Sequence, residues 1–394
     1  MGALALSFDF DRVVPRADTA SVKWDARPGY FGSADVLPMW VADMDFAAPD
    51  EVVQALAARA AHPVYGYTLY PDGLFDTLAG WLHQRHGWTI ERDWVLWAPG
   101  VVPSLFAAVQ AFAGPGEGVV LQPPVYHPFF SAITDTGRVI VENPLRLADG
   151  RYAMDLDHLE RCAAAGARLL LLCSPHNPVG RVWRPDELRA VLDIARRHDM
   201  TVLSDEIHHD LVYPGERHHL LATLAGDPSG IVTAVAPSKT FNIPGLGLSA
   251  LVVPDPERRA ALKRVFGQLH VSASNPFSVA AFETAYRVGA PWLDALMAYL
   301  AGTRDFVLDF VDRRLPGIRA IRPEGTYLVW LDCRGLGLDD RALADFFVRT
   351  ARVGMNPGHT FGRGGSGFMR LNVGAPRAVV AEALERIAAA VAGR

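Results

Sequence analysis

Residues 236–246 read Ala-Pro-Ser-Lys-Thr-Phe-Asn-Ile-Pro-Gly-Leu and hold a single lysine, Lys239. The run before them, Ile231-Val232-Thr233-Ala234-Val235, is apolar and largely β-branched, the pattern of a buried strand. Pro237 and Ser238 end that pattern. A lysine at the end of a buried strand is costly unless it is paired or neutral. Desolvation lowers its pKa, and the neutral amine can then attack a carbonyl. The chemical reading of Lys239 is therefore a Schiff-base lysine of the kind that holds pyridoxal 5′-phosphate (PLP). The plainer reading is a surface lysine after a strand, and on this stretch alone it is the favoured one.

The surrounding chain changes that balance. Outward from Lys239, apolar strands alternate with helices. Strands are expected at Trp94–Trp97, Val119–Gln122, Arg168–Ser174, Thr201–Ser204 and Leu248–Val253, and a helix at Glu187–His198. Continuous apolar strands separated by helices predict an α/β fold whose mostly parallel sheet is covered on both faces. Ligands of such sheets gather at the carboxyl ends of the strands. Gly100, Tyr126, Asn177, Asp205 and Lys239 all fall there. Ala98-Pro99-Gly100 also leads into an apolar helix beginning Val101-Val102, and a strand, a Gly turn and a helix N-terminus can hold a phosphate. That signal is common to many αβ units.

The chain has 394 residues, half of them hydrophobic and 21% charged, with a net charge of −5. This exceeds the usual size of one core, so two domains are expected. Residues 1–50, broken by Pro15, Pro28, Pro38 and Pro49, read as an N-terminal arm belonging to the small domain. Residues 51–288 read as the large domain, and 289–394 as a C-terminal α+β domain. Asp43 and Asp45 are expected to cap the helix that starts near Pro49-Asp50. The aromatic stretch 62–72 is expected to be core or interface. No basic excess suggests a nucleic-acid partner, and no run approaches a membrane span. Met1–Leu6 lacks a basic n-region, so it does not read as a signal peptide. Cys162, Cys173 and Cys333 are odd in number and lack CxxC spacing, which points to free thiols and a cytoplasmic protein.

Two motifs point elsewhere. Gly362-Arg363-Gly364-Gly365-Ser366-Gly367 has the spacing G-x-G-x-x-G, but a dinucleotide site needs a strand before it and a helix after it. A strand follows here, so a loop is expected. His208-His209-Asp210 with His218-His219 could suggest zinc and a hydrolase. Adjacent histidines point differently on any regular element, and no HExxH spacing is present, so no metal is expected.

Several motifs together carry a family resemblance. They are Asp43-Met44-Asp45-Phe46, Cys173-Ser174-Pro175-His176-Asn177-Pro178-Val179-Gly180, Ser204-Asp205-Glu206-Ile207-His208, Ser238-Lys239-Thr240-Phe241-Asn242, Ala290-Pro291-Trp292-Leu293-Asp294 and Phe368-Met369-Arg370-Leu371-Asn372. The chain resembles fold-type-I PLP enzymes of the class I/II aminotransferase superfamily, and within it the MalY/PatB branch of cystathionine β-lyases. The resemblance implies that Lys239 binds PLP and moves the substrate Cα proton. It implies that Asp205 faces the pyridine nitrogen, Asn177 the ring 3-oxygen, and Tyr126 the ring face. His208 is counted with the cofactor-binding residues. Backbone groups of Val101 and Val102, with Ser238, would hold the phosphate. Tyr67 would reach that phosphate from the neighbouring subunit of a homodimer, and Arg370 would clamp the carboxylate of an amino-acid substrate. Many aminotransferases carry an arginine eight residues after the lysine, where this chain has Gly247. Many have tyrosine where this chain has His208. Both departures favour a carbon–sulfur β-lyase over an aminotransferase, the alternative.

Overall fold

The computed structural model describes residues 8–272 and 275–394. A seven-stranded sheet runs in the order Val95–Ala98, Ser249–Val252, Ile231–Val235, Thr201–Asp205, Leu169–Cys173, Gly118–Leu121 and Val139–Glu142. Only Ser249–Val252 runs against the others. The three central strands are buried at every position, so they show no alternation of buried and exposed residues. Their side chains still divide by parity between the two faces. Leu169, Leu171 and Cys173 pack with Leu105 and Leu262. Leu170 and Leu172 pack with Leu159, Leu188 and Val191.

A second, antiparallel sheet has the order Arg319–Ile321, Leu328–Asp332, Phe368–Asn372, Asn356–Pro357. The helix Arg377–Ala392 buries Val380, Leu384 and Ile387 in the same core. The long helix Ala290–Arg314 serves both cores. Its first half contributes Trp292, Leu296 and Leu300 to the large one, and its second half Val307 and Val311 to the small one.

Sequence expectations and structure differ in places that have physical causes. Within the arm, Val22–Asp25 and Arg27–Phe31 are short helices. Leu37–Pro38 pairs with Val353–Gly354, tying the arm to the core under the second sheet. Asp43 and Asp45 do not cap the helix Asp50–Ala61, which has no side-chain cap. Their carboxylates are taken by Arg16 and Lys23 instead, because a long-range cation stabilises a buried carboxylate more than a local N–H does. The helix Asp340–Asp345 continues as a π-turn over Phe346–Thr350. The strand Val139–Glu142 lies at the sheet edge, partly exposed, and its weaker apolar pattern hides it in the sequence. Among the described residues, no helix is long and apolar enough to cross a membrane.

Candidate active site

The carboxyl ends of the large sheet's strands open into a cavity of about 180 Å³. Val101, Val102, Tyr126, Asn177, Asp205, His208, Ser238 and Lys239 all line it, with Ala42, Gly100, Cys173 and Gly247. These residues lie far apart in sequence. They meet because parallel strands end on one edge of the sheet, and each strand hands its next residues to the same rim.

Lys239 stands in the turn Pro237–Thr240, directly after the strand Ile231–Val235. Its Nζ donates to the Ala42 carbonyl at 2.6 Å. Burial brings its pKa down to about 8; the Asp43 and Asp205 charges oppose this and Arg370 adds to it. A neutral amine is thus accessible near physiological pH. Asp205 closes its strand and accepts one backbone N–H, from Ile207, at 3.2 Å. Burial pushes its carboxyl up to about 7, against the Ile207 hydrogen bond, with Glu206 adding to the rise. An acid so placed gains strongly from a cationic partner in the cavity. His208 is buried, its pKa held well below the usual value by desolvation, and its Nδ1 has no partner. Its ring meets Tyr327 edge-on at 6.0 Å.

Arg370 is 2% exposed. It donates to Asn177 Oδ1 at 3.0 Å, to Asn356 Oδ1 at 2.7 Å and to the Trp40 carbonyl at 3.1 Å, while its Nε is unpartnered. Among the described residues no carboxylate pairs with it, and burial lowers its pKa to about 10. A buried guanidinium without a counter-charge is costly, and a ligand carboxylate would supply that charge. Tyr67, in contrast, lies outside this cavity and is fully exposed, at 107%.

Gly247 has φ +23°, and a Cβ there would stand 3.0 Å from the Pro99 carbonyl oxygen. Strain and crowding both disfavour a side chain at this position. Gly180 is similar: at φ +72° its Cβ would meet the Pro323 Cβ at 2.7 Å. This close approach lets the Asn177 loop pack against the small domain.

Sequence reading missed three groups that the structure brings to the site. Tyr327 donates to the Ala42 carbonyl at 2.8 Å, the acceptor that Lys239 also uses. Asn356 and the Trp40 carbonyl hold Arg370. Backbone carbonyls carry no residue signature, so Ala42 and Trp40 could not have been found by composition or spacing.

The histidine cluster divides among different partners. His208 lines the cavity. His218 pairs with Glu206 at 2.7 Å. His209 and His86 face Asp210, and ligating atoms of those three lie within 4.8 Å of one another. Asp210 already accepts from His86 at 2.9 Å, Thr240 at 3.0 Å and the Trp81 indole at 3.2 Å. Burial would raise its carboxyl, but His209 and the His86 hydrogen bond outweigh that and hold it well below the usual range. These contacts form a buried polar cluster beneath the site, in which His209 Nε2 lies 3.2 Å from Asp210 without a hydrogen bond. The Gly362–Gly367 stretch follows a 3-10 turn, Gly358–Phe361, and leads into the strand Phe368–Asn372, a loop without the helix that a dinucleotide site needs.

The residues fit PLP. A buried amine of lowered pKa suits a Schiff base, and a buried acid short of partners suits a pyridinium. The helix Val101–Phe112 presents its N-terminus to the cavity, as a phosphate requires. The family model for class I and II aminotransferases matches residues 34–387. The chain is 42% identical over 385 residues to cystathionine beta-lyase PatB of Bacillus subtilis, covering 97% of this chain and 100% of that one. It is 36% identical over 374 residues to protein MalY of Escherichia coli, covering 94% and 95%. Cystalysin of Treponema denticola, solved with pyridoxal 5′-phosphate, superposes with a TM-score of 0.96 at 37% identity, covering 98% of this chain and 100% of that one. With its Lys239 cavity, its two-sheet fold and these relatives along nearly its whole length, the chain belongs to the class I and II aminotransferase family, in the branch that holds PatB and MalY.

Proposed function

We propose that the protein is a PLP-dependent carbon–sulfur β-lyase that cleaves cystathionine, or a related cysteine S-conjugate, to a thiol, pyruvate and ammonia. One observation carries the reading: a buried amine and a buried acid line one cavity, and a buried guanidinium without a carboxylate partner stands behind its wall, bonded to Asn177. That set can hold PLP together with an amino acid. PLP, when bound, supplies an electron sink for the pair left at the substrate Cα. Lys239 holds PLP and takes the Cα proton, a task suited to its lowered pKa. Asp205 keeps the pyridine nitrogen protonated. Arg370 clamps the substrate carboxylate with its planar fork. Asn177 spends its Oδ1 on Arg370, which leaves its Nδ2 to donate to the ring 3-oxygen. Tyr126 covers the ring face, and His208 closes the cavity beside it. The Val101 and Val102 backbone N–H groups and Ser238 hold the phosphate.

The same reading makes the protein a homodimer. Val64, Tyr65, Tyr67 and Leu69 are all exposed, an apolar stretch suited to a second copy, so that Tyr67 of the partner subunit reaches the phosphate. It divides the chain into residues 1–50, 51–288 and 289–394, supported by the two sheets and the arm's strand pairing. The protein works in the cytoplasm, in keeping with its three free buried cysteines.

Lyase and aminotransferase share their steps up to loss of the Cα proton. Their products separate them. Incubation with cystathionine should yield homocysteine, pyruvate and ammonia in equal amounts, with or without 2-oxoglutarate. Absence of thiol, with glutamate appearing only when 2-oxoglutarate is added, would overturn the lyase in favour of the aminotransferase.

A further inference from the structure

One backbone carbonyl, that of Ala42, receives both the Lys239 amine at 2.6 Å and the Tyr327 hydroxyl at 2.8 Å. A neutral amine has one lone pair. Once an N–H is committed to a fixed acceptor, the lone pair can sweep only a restricted arc. The position of the Ala42 carbonyl therefore governs where the Lys239 base points.

That carbonyl is clamped from two sides. Behind it, the segment 40–46 is anchored by a buried ion cluster. Lys23 is 0% exposed and pairs with Asp45 at 2.6 Å, while Asp43 stands 3.8 Å away. Arg16 pairs with both acids at 2.7 Å, and the Trp24 indole donates to Asp45 at 3.0 Å. Asn372 fixes the carbonyls of Val41 and Asp43 on either side of Ala42, at 2.6 and 2.7 Å. In front, Tyr327 stands just before the strand Leu328–Asp332 and is 1% exposed. Its hydroxyl is buried and bonded to this carbonyl. Such a cluster is expensive to bury, and it lies outside the cavity lining, with only the Asp43 charge felt at the amine.

We propose that the Arg16–Asp43–Lys23–Asp45 cluster and Tyr327 together position the Ala42 carbonyl so that it aims the Lys239 amine at the substrate Cα. Tyr327 and Lys23 are then positioning residues for proton removal. Asp43, Asp205, Arg370, His208, Tyr126, Cys173 and Tyr327 are the titratable or charged groups that face this amine or its cavity. None of them replaces the directional acceptor. The inference rests on the role given to Lys239 and is independent of the thiol that leaves.

The test uses alanine, which binds without a leaving group at Cβ. Spectral titration of the PLP-loaded enzyme gives the alanine Kd. Proton NMR in deuterium oxide gives the rate of Cα hydrogen exchange. Tyr327→Phe keeps the ring and removes the clamp. Misaiming a reacting group costs on the order of a hundredfold, so exchange should fall by at least about tenfold while the Kd stays within about threefold. Lys23→Met should do the same and Lys23→Arg should restore much of the loss. Exchange unchanged in Tyr327→Phe, or exchange and binding lost in equal measure, would overturn the proposal. Wild-type enzyme that binds alanine but does not exchange its Cα hydrogen would overturn the role of Lys239 and this inference together.

Discussion

Burial makes the charged forms of Lys239, Asp205 and Arg370 costly. In the PLP-free protein, the Lys239 amine should react with an acylating reagent at a rate that rises through about pH 8. Mass mapping of the adduct against pH checks this, and a midpoint above 10 would mean an exposed lysine. Asp205 titrates in the opposite sense. Its folded pKa of about 7 exceeds the ordinary 3.8, so the folded protein holds that proton more tightly. The stability this confers is full below about pH 4 and is lost as the pH rises through 7. Glu206, also raised to about 7 by burial, adds to the same slope. Measured against Asp205→Asn, the PLP-free wild-type protein should therefore lose urea stability as the pH rises from about 4 to 7. In the loaded enzyme, Asp205→Asn should lower kcat on the order of a thousandfold, because the ring nitrogen loses the charge that keeps it protonated. Arg370→Lys should raise KM by roughly tenfold or more, since an ammonium cannot form the two-point clamp. An unchanged KM would place the carboxylate site elsewhere. The placing of Asp205 and Lys239 at the sheet's carboxyl edge was legible in the sequence because each is a charged residue at the end of a strand-like stretch. Tyr327 was not, because nothing in its own segment says that its hydroxyl meets a carbonyl 285 positions away.

Elements are held in register beneath the site by the buried Asp210. The helix Asp72–His86 supplies Trp81 and His86 to it, and the lysine turn supplies Thr240. Asp210 thus ties the helix Asp72–His86 to the turn that carries Lys239. Asp210→Ala would leave an indole N–H, a hydroxyl and an imidazole without their shared acceptor. The expected cost is roughly 3 kcal/mol, as for a buried ionic partner removed. Urea denaturation measures it, and a loss under about 1 kcal/mol would mean that water serves the network equally well. Helices and central strands could be read from periodicity because their burial is regular. The edge strand Val139–Glu142 and the π-turn at Phe346–Thr350 could not. An edge strand shows one face to solvent, and a π-turn answers local packing rather than a repeat.

Across the whole molecule, the exposed stretch from Val64 to Leu69 sets an expectation of assembly. Sedimentation equilibrium should give twice the 42.9 kDa chain mass, and Tyr67→Phe should release PLP more readily on dilution without dissociating the dimer. A monomer that retains PLP fully would remove Tyr67 from the site. The arm gives the fold a second organising contact. Lys23 and Arg16, near the start of the chain, hold the acids that flank the Lys239 acceptor. A conflict between local and distant pairing was settled there in favour of the distant one: Asp43 and Asp45 left the nearby helix uncapped.

By itself the sequence determined the α/β class, the strands on either side of Lys239 and the shared rim on which Gly100, Tyr126, Asn177, Asp205 and Lys239 meet. Each of these depends on local periodicity or on the rule that parallel strands end together. Tertiary structure alone decided which carbonyl receives the Lys239 amine, that Arg370 is buried without a counter-charge, and that the histidines divide among separate partners. Those outcomes depend on distances between segments hundreds of residues apart, and on desolvation, which no single stretch of sequence encodes.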